Sequence, residues 1–134
     1  MNDQIQEIFA QITTLKSSSG ETLNETSGGG DPEVVSKNWK ILIEKHLEIP
    51  KNSKILDYGC GVGRLAMGFL EDRSDLNYLG IDIVPEFIEF ARKYITDYNE
   101  NFKFALIGDS NALYQKYITS KKENSTFARF QDLK

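Results

Sequence analysis

The spacing of hydrophobic residues changes several times along this chain, and each change predicts a different element. Beyond the first third of the chain, short apolar runs alternate with stretches in which apolar residues recur every three or four positions. The runs predict β-strands at 54–58, 77–82 and 102–107, and the helical spacing predicts helices at 64–71 and 85–97. Strands that alternate with helices are typical of an α/β fold with a parallel sheet and right-handed crossovers.

A further helix is predicted immediately before the first strand. Asp31 and Pro32 are typical of a helix start, and Pro50 requires the helix to end near Glu48. The apolar face comprises Val35, Trp39, Leu42, Ile43, His46 and Leu47. This spacing predicts that Trp39 and His46 are packed residues of the core and not functional ones.

The first thirty residues differ in composition from the rest. Their apolar residues Ile5, Ile8, Phe9, Ile12 and Leu15 have helical spacing, and serine and glycine are concentrated at 17–20 and 27–30. We therefore predict a flexible N-terminal arm over 1–30 with a short amphipathic helix, followed by one domain over 31–134. The alternative is a helix that acts as a lid or docking element over a ligand.

Composition excludes several classes of protein. The 134 residues are 40% hydrophobic and 27% charged, which suits one small globular domain. The net charge of −4 provides no basic surface for nucleic acid, and no apolar run approaches the ~18 residues of a membrane span. The N-terminus lacks the pattern of a secretory signal, and one cysteine forms neither a disulfide nor a zinc cluster. We expect a cytoplasmic protein without a bound metal.

The first feature with chemical meaning is a glycine-rich turn after the first strand. Gly59 and Gly61 allow backbone angles closed to other residues and let a ligand approach the chain closely. Gly63 allows tight packing of the next helix, whose N-terminal N–H groups attract polar ligand groups. Ligands of open parallel sheets bind at this edge, outside the carboxyl ends of the strands.

Acidic residues follow the next two predicted strands. Asp82 lies at the distance from the turn expected of an acid that accepts hydrogen bonds from ribose hydroxyls. Asp109, with Ser110 and Asn111 beside it, is placed to read the edge of an adenine ring. Each aspartate also has a structural alternative, because either one is suited to cap the helix predicted after it. Together with the turn they favour a nucleotide-like ligand.

The charge near the turn indicates which ligand. Asp57 precedes the first glycine by two residues, and Arg64 stands where a dinucleotide-binding motif would have its third glycine. A carboxylate at this place repels a pyrophosphate and attracts an ammonium group. S-adenosylmethionine contains an ammonium group, a ribose and an adenine but no phosphate, so the pattern favours it over NAD.

These residues also resemble a known family. Residues 55–66 (Ile-Leu-Asp-Tyr-Gly-Cys-Gly-Val-Gly-Arg-Leu-Ala) resemble motif I of the class I S-adenosylmethionine-dependent methyltransferases. Residues 78–83 are similar to the family's second strand, and 108–110 are similar to the end of its third. The resemblance implies a Rossmann-like fold, S-adenosylmethionine as the cofactor and methyl transfer as the activity.

The resemblance also implies roles for individual residues. Asp57 would face the methionine amine through water, Tyr58, Gly59, Cys60, Gly61 and Gly63 would line the cofactor, Asp82 would hold the ribose, Ile83 would lie against adenine, and Asp109 and Ser110 would contact the adenine edge. Cys60 is interpreted as a small residue of the turn and not as a reactive thiol. Arg64 is interpreted as a surface residue at a helix start and not as a substrate clamp.

The family's fold has seven strands, of which three are clear here. Residues 127–130 are a poor candidate for the fourth strand, which in the family lies beside the first and helps to position the methyl acceptor. The first strand would then lie on an exposed edge, so we expect either a chain truncated at its C-terminus, as a fragment of a longer enzyme, or one that pairs with a partner or a second copy. No catalytic residue is assigned. The alternatives are a non-catalytic cofactor-binding module completed by a partner and, less favoured, half of an NAD-type oxidoreductase.

Overall fold

The computed structural model describes residues 2–108 and 127–128. The elements in chain order are α1 (Asp3–Thr14), α2 (Leu23–Thr26), α3 (Pro32–His46), β1 (Lys54–Tyr58), α4 (Arg64–Phe69), β2 (Asn77–Asp82), α5 (Pro85–Phe90), β3 (Phe102–Ile107) and β4 (Phe127–Ala128). Helix α5 continues into π-helical turns over Ala91–Thr96. The three main strands begin and end where the apolar runs predict, while α4 is shorter than the predicted helix.

The four strands form one parallel sheet in the order β1-β2-β3-β4. The α/β, Rossmann-like prediction is confirmed. Strand β4 pairs with β3, with Leu106 opposite Phe127, and so lies on the far side of the sheet from β1. The family's fourth strand would lie beside β1, so this short strand does not take that place. Among the described residues β1 pairs only with β2 and forms an edge of the sheet.

The main core lies between one face of the sheet and the helices. Its largest fully buried side chains include Tyr78, Phe69, Phe102, Leu70 and Ile95. The Tyr78 and Phe102 rings stack across β2 and β3 with their centroids 5.3 Å apart. Because β3 is buried at five of its six positions, β2 at three of six and β1 at none, the core is centred away from the β1 edge.

Helix α1 is part of this core. Ile5, Ile8, Phe9 and Ile12 are buried, and the side chain of Asn2 caps the helix by accepting a hydrogen bond from the Ile5 N–H. The segment that follows folds back, with the Leu23 N–H donating to the Leu15 carbonyl at 2.9 Å. This packing differs from the flexible arm expected from the serine and glycine content, because the apolar face of α1 gains more from burial than the connector loses in freedom. The domain boundary at residue 30 stays a prediction.

Helix α3 begins as predicted, with the Asp31 carboxylate accepting from the Glu33 and Val34 N–H groups. Its inward face, however, is not the one that the apolar spacing indicates. Ser36 is its buried residue, and a Cβ added to Gly68 of α4 would lie 2.5 Å from the Ser36 carbonyl oxygen. Close contact between the two helices is therefore built on small residues.

The prediction that Trp39 and His46 are core residues was wrong. Trp39 is 50% exposed, Leu42 is 45% exposed, and His46 is also exposed. Since α4 approaches α3 at Ser36, Trp39 and Leu42 on the neighbouring face are left exposed, whereas Ile43 is partly buried against the core. Their spacing predicts the helix correctly, but it does not determine which side meets the sheet. No described helix combines the length and apolar character needed to cross a membrane.

Candidate functional site

The turn between β1 and α4 is held against the end of β2. The N–H groups of Gly59 and Cys60 both donate to the carbonyl oxygen of Ile81, at 2.8 and 3.0 Å. Gly59, Gly61 and Gly63 have φ angles of +79°, +60° and +98°, a region that other residues rarely adopt. The path of the backbone thus requires glycine at these three positions.

Asp82 joins this turn to the start of α5. One carboxylate oxygen accepts from the Gly61 N–H at 2.8 Å, and the other accepts from the Val84 N–H at 3.0 Å. Each carboxylate oxygen has a second lone pair for another donor. Asp82 therefore fixes the turn and the residue before α5, whose own N-terminus has no side-chain cap, and it keeps the capacity to accept from a ligand hydroxyl.

Asp57 lies at the end of β1 and is half-buried. Its carboxylate accepts a short hydrogen bond from the hydroxyl of Tyr78, a side chain that is 1% exposed. Burial raises the pKa of Asp57, the Tyr78 hydrogen bond opposes this, and the negative charge of Asp82 adds to the increase. A positive charge beside Asp57 would relieve the cost of keeping this carboxylate ionised.

A cavity of about 390 Å³ opens at the turn. It is lined by Ser27, Trp39, Ile43, Asp57, Tyr58, Gly59, Cys60, Gly61, Arg64 and Leu65. The structure thus brings together five of the predicted cofactor residues. Asp82 reaches this group through its bond to Gly61, Ile83 is 39% exposed beside it, and Asp109 and Ser110 lie outside the described residues.

Cys60 is buried within the turn and has a free thiol. Burial raises the pKa of this thiol well above its ordinary value, and the negative charges of Asp57 and Asp82 raise it further. The thiolate is the nucleophilic form of cysteine, so this environment opposes reactivity. The geometry agrees with a small residue that packs in the turn.

Arg64 differs from the surface residue expected at this helix start. Its terminal nitrogens donate to the Gly29 carbonyl at 2.8 Å and to the carbonyl and side-chain oxygens of Asn24 at 3.0 and 2.8 Å. Burial lowers the pKa of its guanidinium. Sequence reasoning missed this role because the partners lie 35 and 40 residues earlier, and nothing in the local pattern indicates such a contact.

Three other lining residues were also missed. Ser27 belongs to the N-terminal segment, whereas Trp39 and Ile43 belong to α3, and all three reach the cavity only through tertiary packing. Over residues 2–108 and 127–128, no group of three or more His, Cys, Asp and Glu side chains is arranged to hold a metal ion.

Comparison with known proteins matches the part of the chain that contains the glycine turn and Asp82. A family model described as a methyltransferase domain matches residues 49–128, more than half of the chain. The chain is 40% identical over 57 residues to a release factor glutamine methyltransferase of Buchnera aphidicola, and 40% identical over 55 residues to a tRNA N(3)-methylcytidine methyltransferase of Schizosaccharomyces pombe. The matches cover 40% and 41% of this chain but only 21% and 22% of these relatives, so the chain spans about a fifth of their length. From the family match, the turn and the sheet together, the chain belongs to the class I S-adenosylmethionine-dependent methyltransferase family.

Proposed function

We propose that this chain is the cofactor-binding portion of an S-adenosylmethionine-dependent methyltransferase. The observation that carries the proposal is the 390 Å³ cavity, in which the half-buried carboxylate of Asp57 lies beside the glycine turn. Family membership supports the same cofactor. Methyl transfer by the whole protein is part of the proposal, because the chain spans about a fifth of the relatives' length.

Charge at the cavity supports an ammonium-bearing ligand. Asp57 lines the cavity, and Asp82 is close enough to raise the pKa of Asp57. Arg64 also lines it, but its terminal nitrogens donate to Asn24 and Gly29. A cation is favoured beside two carboxylates, and the pyrophosphate of NAD is disfavoured for the same reason.

We assign the parts of the cofactor accordingly. Asp57 attracts the methionine ammonium group, and the methionine and ribose are lined by Tyr58, Gly59, Cys60, Gly61 and Gly63. Asp82 accepts from the ribose hydroxyls, Ile83 lies against the adenine, and Asp109 with Ser110 contacts the adenine edge. The assignment of the methionine group is supported by the cavity that Asp57 shares with residues 58–61. The assignment of the ribose is supported by the hydrogen bond between Asp82 and Gly61.

The methyl acceptor stays unassigned. The two relatives are named for different acceptors, a glutamine of a release factor and a cytidine of a tRNA. Both are nevertheless 40% identical to this chain, over 57 and 55 residues. The shared segment therefore points to the common cofactor and not to an acceptor. We propose no catalytic residue. We also propose a cytoplasmic location, since the one cysteine is a buried free thiol.

A second candidate function is a non-catalytic module that binds the cofactor and completes its sheet with another chain. The observation in its favour is the open β1 edge, where Leu56 is 54% exposed and Tyr58 is 68% exposed. An apolar strand on an edge is a template for pairing with another strand. The two candidates differ in whether bound S-adenosylmethionine is turned over.

Calorimetric titration with S-adenosylmethionine, S-adenosylhomocysteine and NAD tests the proposal. We expect the first two to bind and NAD not to bind. Binding of NAD alone would overturn the assignment of the cofactor. Incubating the chain and methyl-labelled cofactor with heat-inactivated cell extract then tests the second candidate: transfer of the label that is absent without the chain would exclude a non-catalytic module.

A further inference from the structure

A segment far from the glycine turn in sequence is tied to it by one side chain. We call residues 24–30, which comprise the end of α2 and the glycine-rich stretch after it, the N-terminal loop. The Arg64 guanidinium donates to the loop at both ends, to Asn24 and to Gly29. Arg64 is also the first residue of α4 and directly follows Gly63 of the turn. The turn and the N-terminal loop are therefore one connected unit.

Hydrogen bonds within the N-terminal loop hold its shape. The buried Asn24 side chain donates to the Gly30 carbonyl at 2.7 Å, and the Gly29 N–H donates to the Asn24 carbonyl at 2.7 Å. Gly28, Gly29 and Gly30 all have positive φ angles, between +72° and +123°. Asn24 is thus the central residue of the loop, because its side chain contacts both the loop end and Arg64.

The N-terminal loop forms part of the cavity wall. Ser27 lines the same cavity as Asp57 and Tyr58, and Arg64 lines it between them and the loop. A wall made by a separate segment encloses a ligand only while that segment stays docked. The contacts of Arg64 with Asn24 and Gly29 are the polar contacts that join the two sides of the cavity.

We propose that Asn24 and Arg64 are positioning residues for the cofactor, which hold the N-terminal loop as a wall of its cavity. This inference rests on the proposed function, since it concerns the same cavity. A docked loop keeps the cavity in its binding shape before the cofactor arrives, so less ordering is required on binding. An undocked loop leaves only a fraction of the molecules competent to bind, and the apparent affinity falls by that fraction.

The coupling works in both directions. If the docked loop favours the cofactor, the bound cofactor must favour the docked loop to the same extent. Amide hydrogen exchange in residues 24–30 will therefore slow when S-adenosylhomocysteine is added. A loop that merely packs beside the cavity would show no such dependence on the ligand.

The test compares variants in the full chain by calorimetric titration with S-adenosylhomocysteine. Asn24→Ala removes the side-chain contacts with Arg64 and Gly30 while the glycine turn is unchanged. Asn24→Asp keeps an acceptor for Arg64. Glu86→Ala is the matched control, because Glu86 accepts from the Ser18 N–H and so holds the N-terminal segment at a place away from this cavity.

We expect Asn24→Ala to weaken binding about tenfold, the loss typical of one hydrogen-bonded contact. Asn24→Asp should bind more tightly than Asn24→Ala, and Glu86→Ala should bind as the unmodified chain does. The slowing of amide exchange by ligand should be lost in Asn24→Ala and kept in Glu86→Ala. Thermal unfolding of each variant shows whether it is folded at the temperature of the titration.

Equal affinity of Asn24→Ala and the unmodified chain would overturn the inference and leave the proposed function intact. Failure of the unmodified chain to bind would instead overturn the proposed function. If Asn24→Ala does not fold, Arg64→Lys decides the question, because a lysine cannot donate to Asn24 and Gly29 in the same forked geometry. Unweakened binding by a folded Arg64→Lys variant would then contradict the proposal.

Discussion

Asp57 is held in an environment that disfavours its ionised form. It is half-buried, it lies close enough to Asp82 for repulsion, and it has one neutral donor in Tyr78. A carboxylate in this state gains from a cationic partner, because the partner offsets both burial and repulsion. The residue that the sequence associates with the ammonium group is thus also the one whose electrostatics favour a cation.

We predict that Asp57→Asn weakens S-adenosylhomocysteine binding by about 1.5–3 kcal/mol, the cost of removing a charged hydrogen-bond partner. An asparagine still accepts from Tyr78, so the fold should be retained. Asp97→Asn is the control, since Asp97 is an exposed carboxylate at the end of the π-helical turns. Calorimetry provides the affinities, and equal affinities of the two variants would contradict the role of Asp57.

The same site predicts a pH dependence. The raised pKa of Asp57 means that this carboxylate takes up a proton at a higher pH than an ordinary aspartate, whose pKa is 3.8. Cofactor affinity should therefore fall as the pH is lowered through this raised value, because the ammonium stays charged while the carboxylate is neutralised. In Asp57→Asn this part of the pH dependence should be absent. If the affinity of Asp57→Asn falls as steeply as that of the unmodified chain when the pH is lowered, another group is responsible.

Asp82 holds the turn and, in our proposal, also accepts from the ribose, and a single substitution does not separate the two roles. Asp82→Ala should weaken cofactor binding by about 1–3 kcal/mol, but it also removes acceptors for the N–H groups of Gly61 and Val84. A cofactor analogue without the 2′-hydroxyl separates the tasks. If Asp82 holds the ribose, the unmodified chain should prefer the natural ligand and Asp82→Ala should show little preference. Equal preference in both proteins would mean that Asp82 acts only on the turn.

Among the elements, the glycine turn combines a positive φ angle with a close packing contact at one residue. Gly63 has a φ of +98°, and a Cβ added there would lie 2.5 Å from the Cδ1 atom of Ile95, a fully buried side chain. Gly20 has a similar φ of +90° with nothing within 4 Å of an added Cβ. Both glycines have a positive φ angle, but only Gly63 is also closely packed by a side chain.

We predict that Gly20→Ala destabilises the fold by about 1 kcal/mol, because of backbone strain alone. Gly63→Ala should cost about 1–3 kcal/mol more, since the methyl group also overpacks the core. Urea unfolding of both variants measures the free energies of unfolding. Equal losses would show that Ile95 moves aside and that Gly63 is required only for its φ angle.

At the scale of the whole molecule, β1 forms one edge of the sheet as far as residues 2–108 and 127–128 show. Leu56 is 54% exposed on this strand, and Tyr58 is 68% exposed. Unpaired backbone groups next to apolar side chains favour pairing with another chain. The described part of the molecule therefore has one edge that favours self-association.

We predict that the chain self-associates in a concentration-dependent way and that Leu56→Lys reduces the association, because a charge on an edge strand opposes pairing. Leu47→Lys is the control, since Leu47 is 59% exposed but lies just after α3 and not on the edge strand. Sedimentation velocity over a series of concentrations measures both variants. A chain that stays monomeric throughout, or equal effects of the two substitutions, would contradict pairing through β1.

The sequence by itself determined the strands, the glycine turn and the acidic residues around it. These features are local: a strand needs only a short apolar run, and the turn needs glycines where φ is positive. Asp57 and Asp82 follow because the carboxyl ends of parallel strands meet at one edge. The cavity beside Asp57 was predictable for the same reason.

Only the tertiary structure decided which face of α3 is buried, how Arg64 is used and where β4 pairs. The apolar spacing of α3 predicts a helix but does not determine which face is buried. The close contact between Ser36 and Gly68 determines that face. The partners of Arg64 lie 35 and 40 residues earlier, so no local pattern reveals them. Such choices depend on packing between distant segments, which hydrophobic periodicity does not encode.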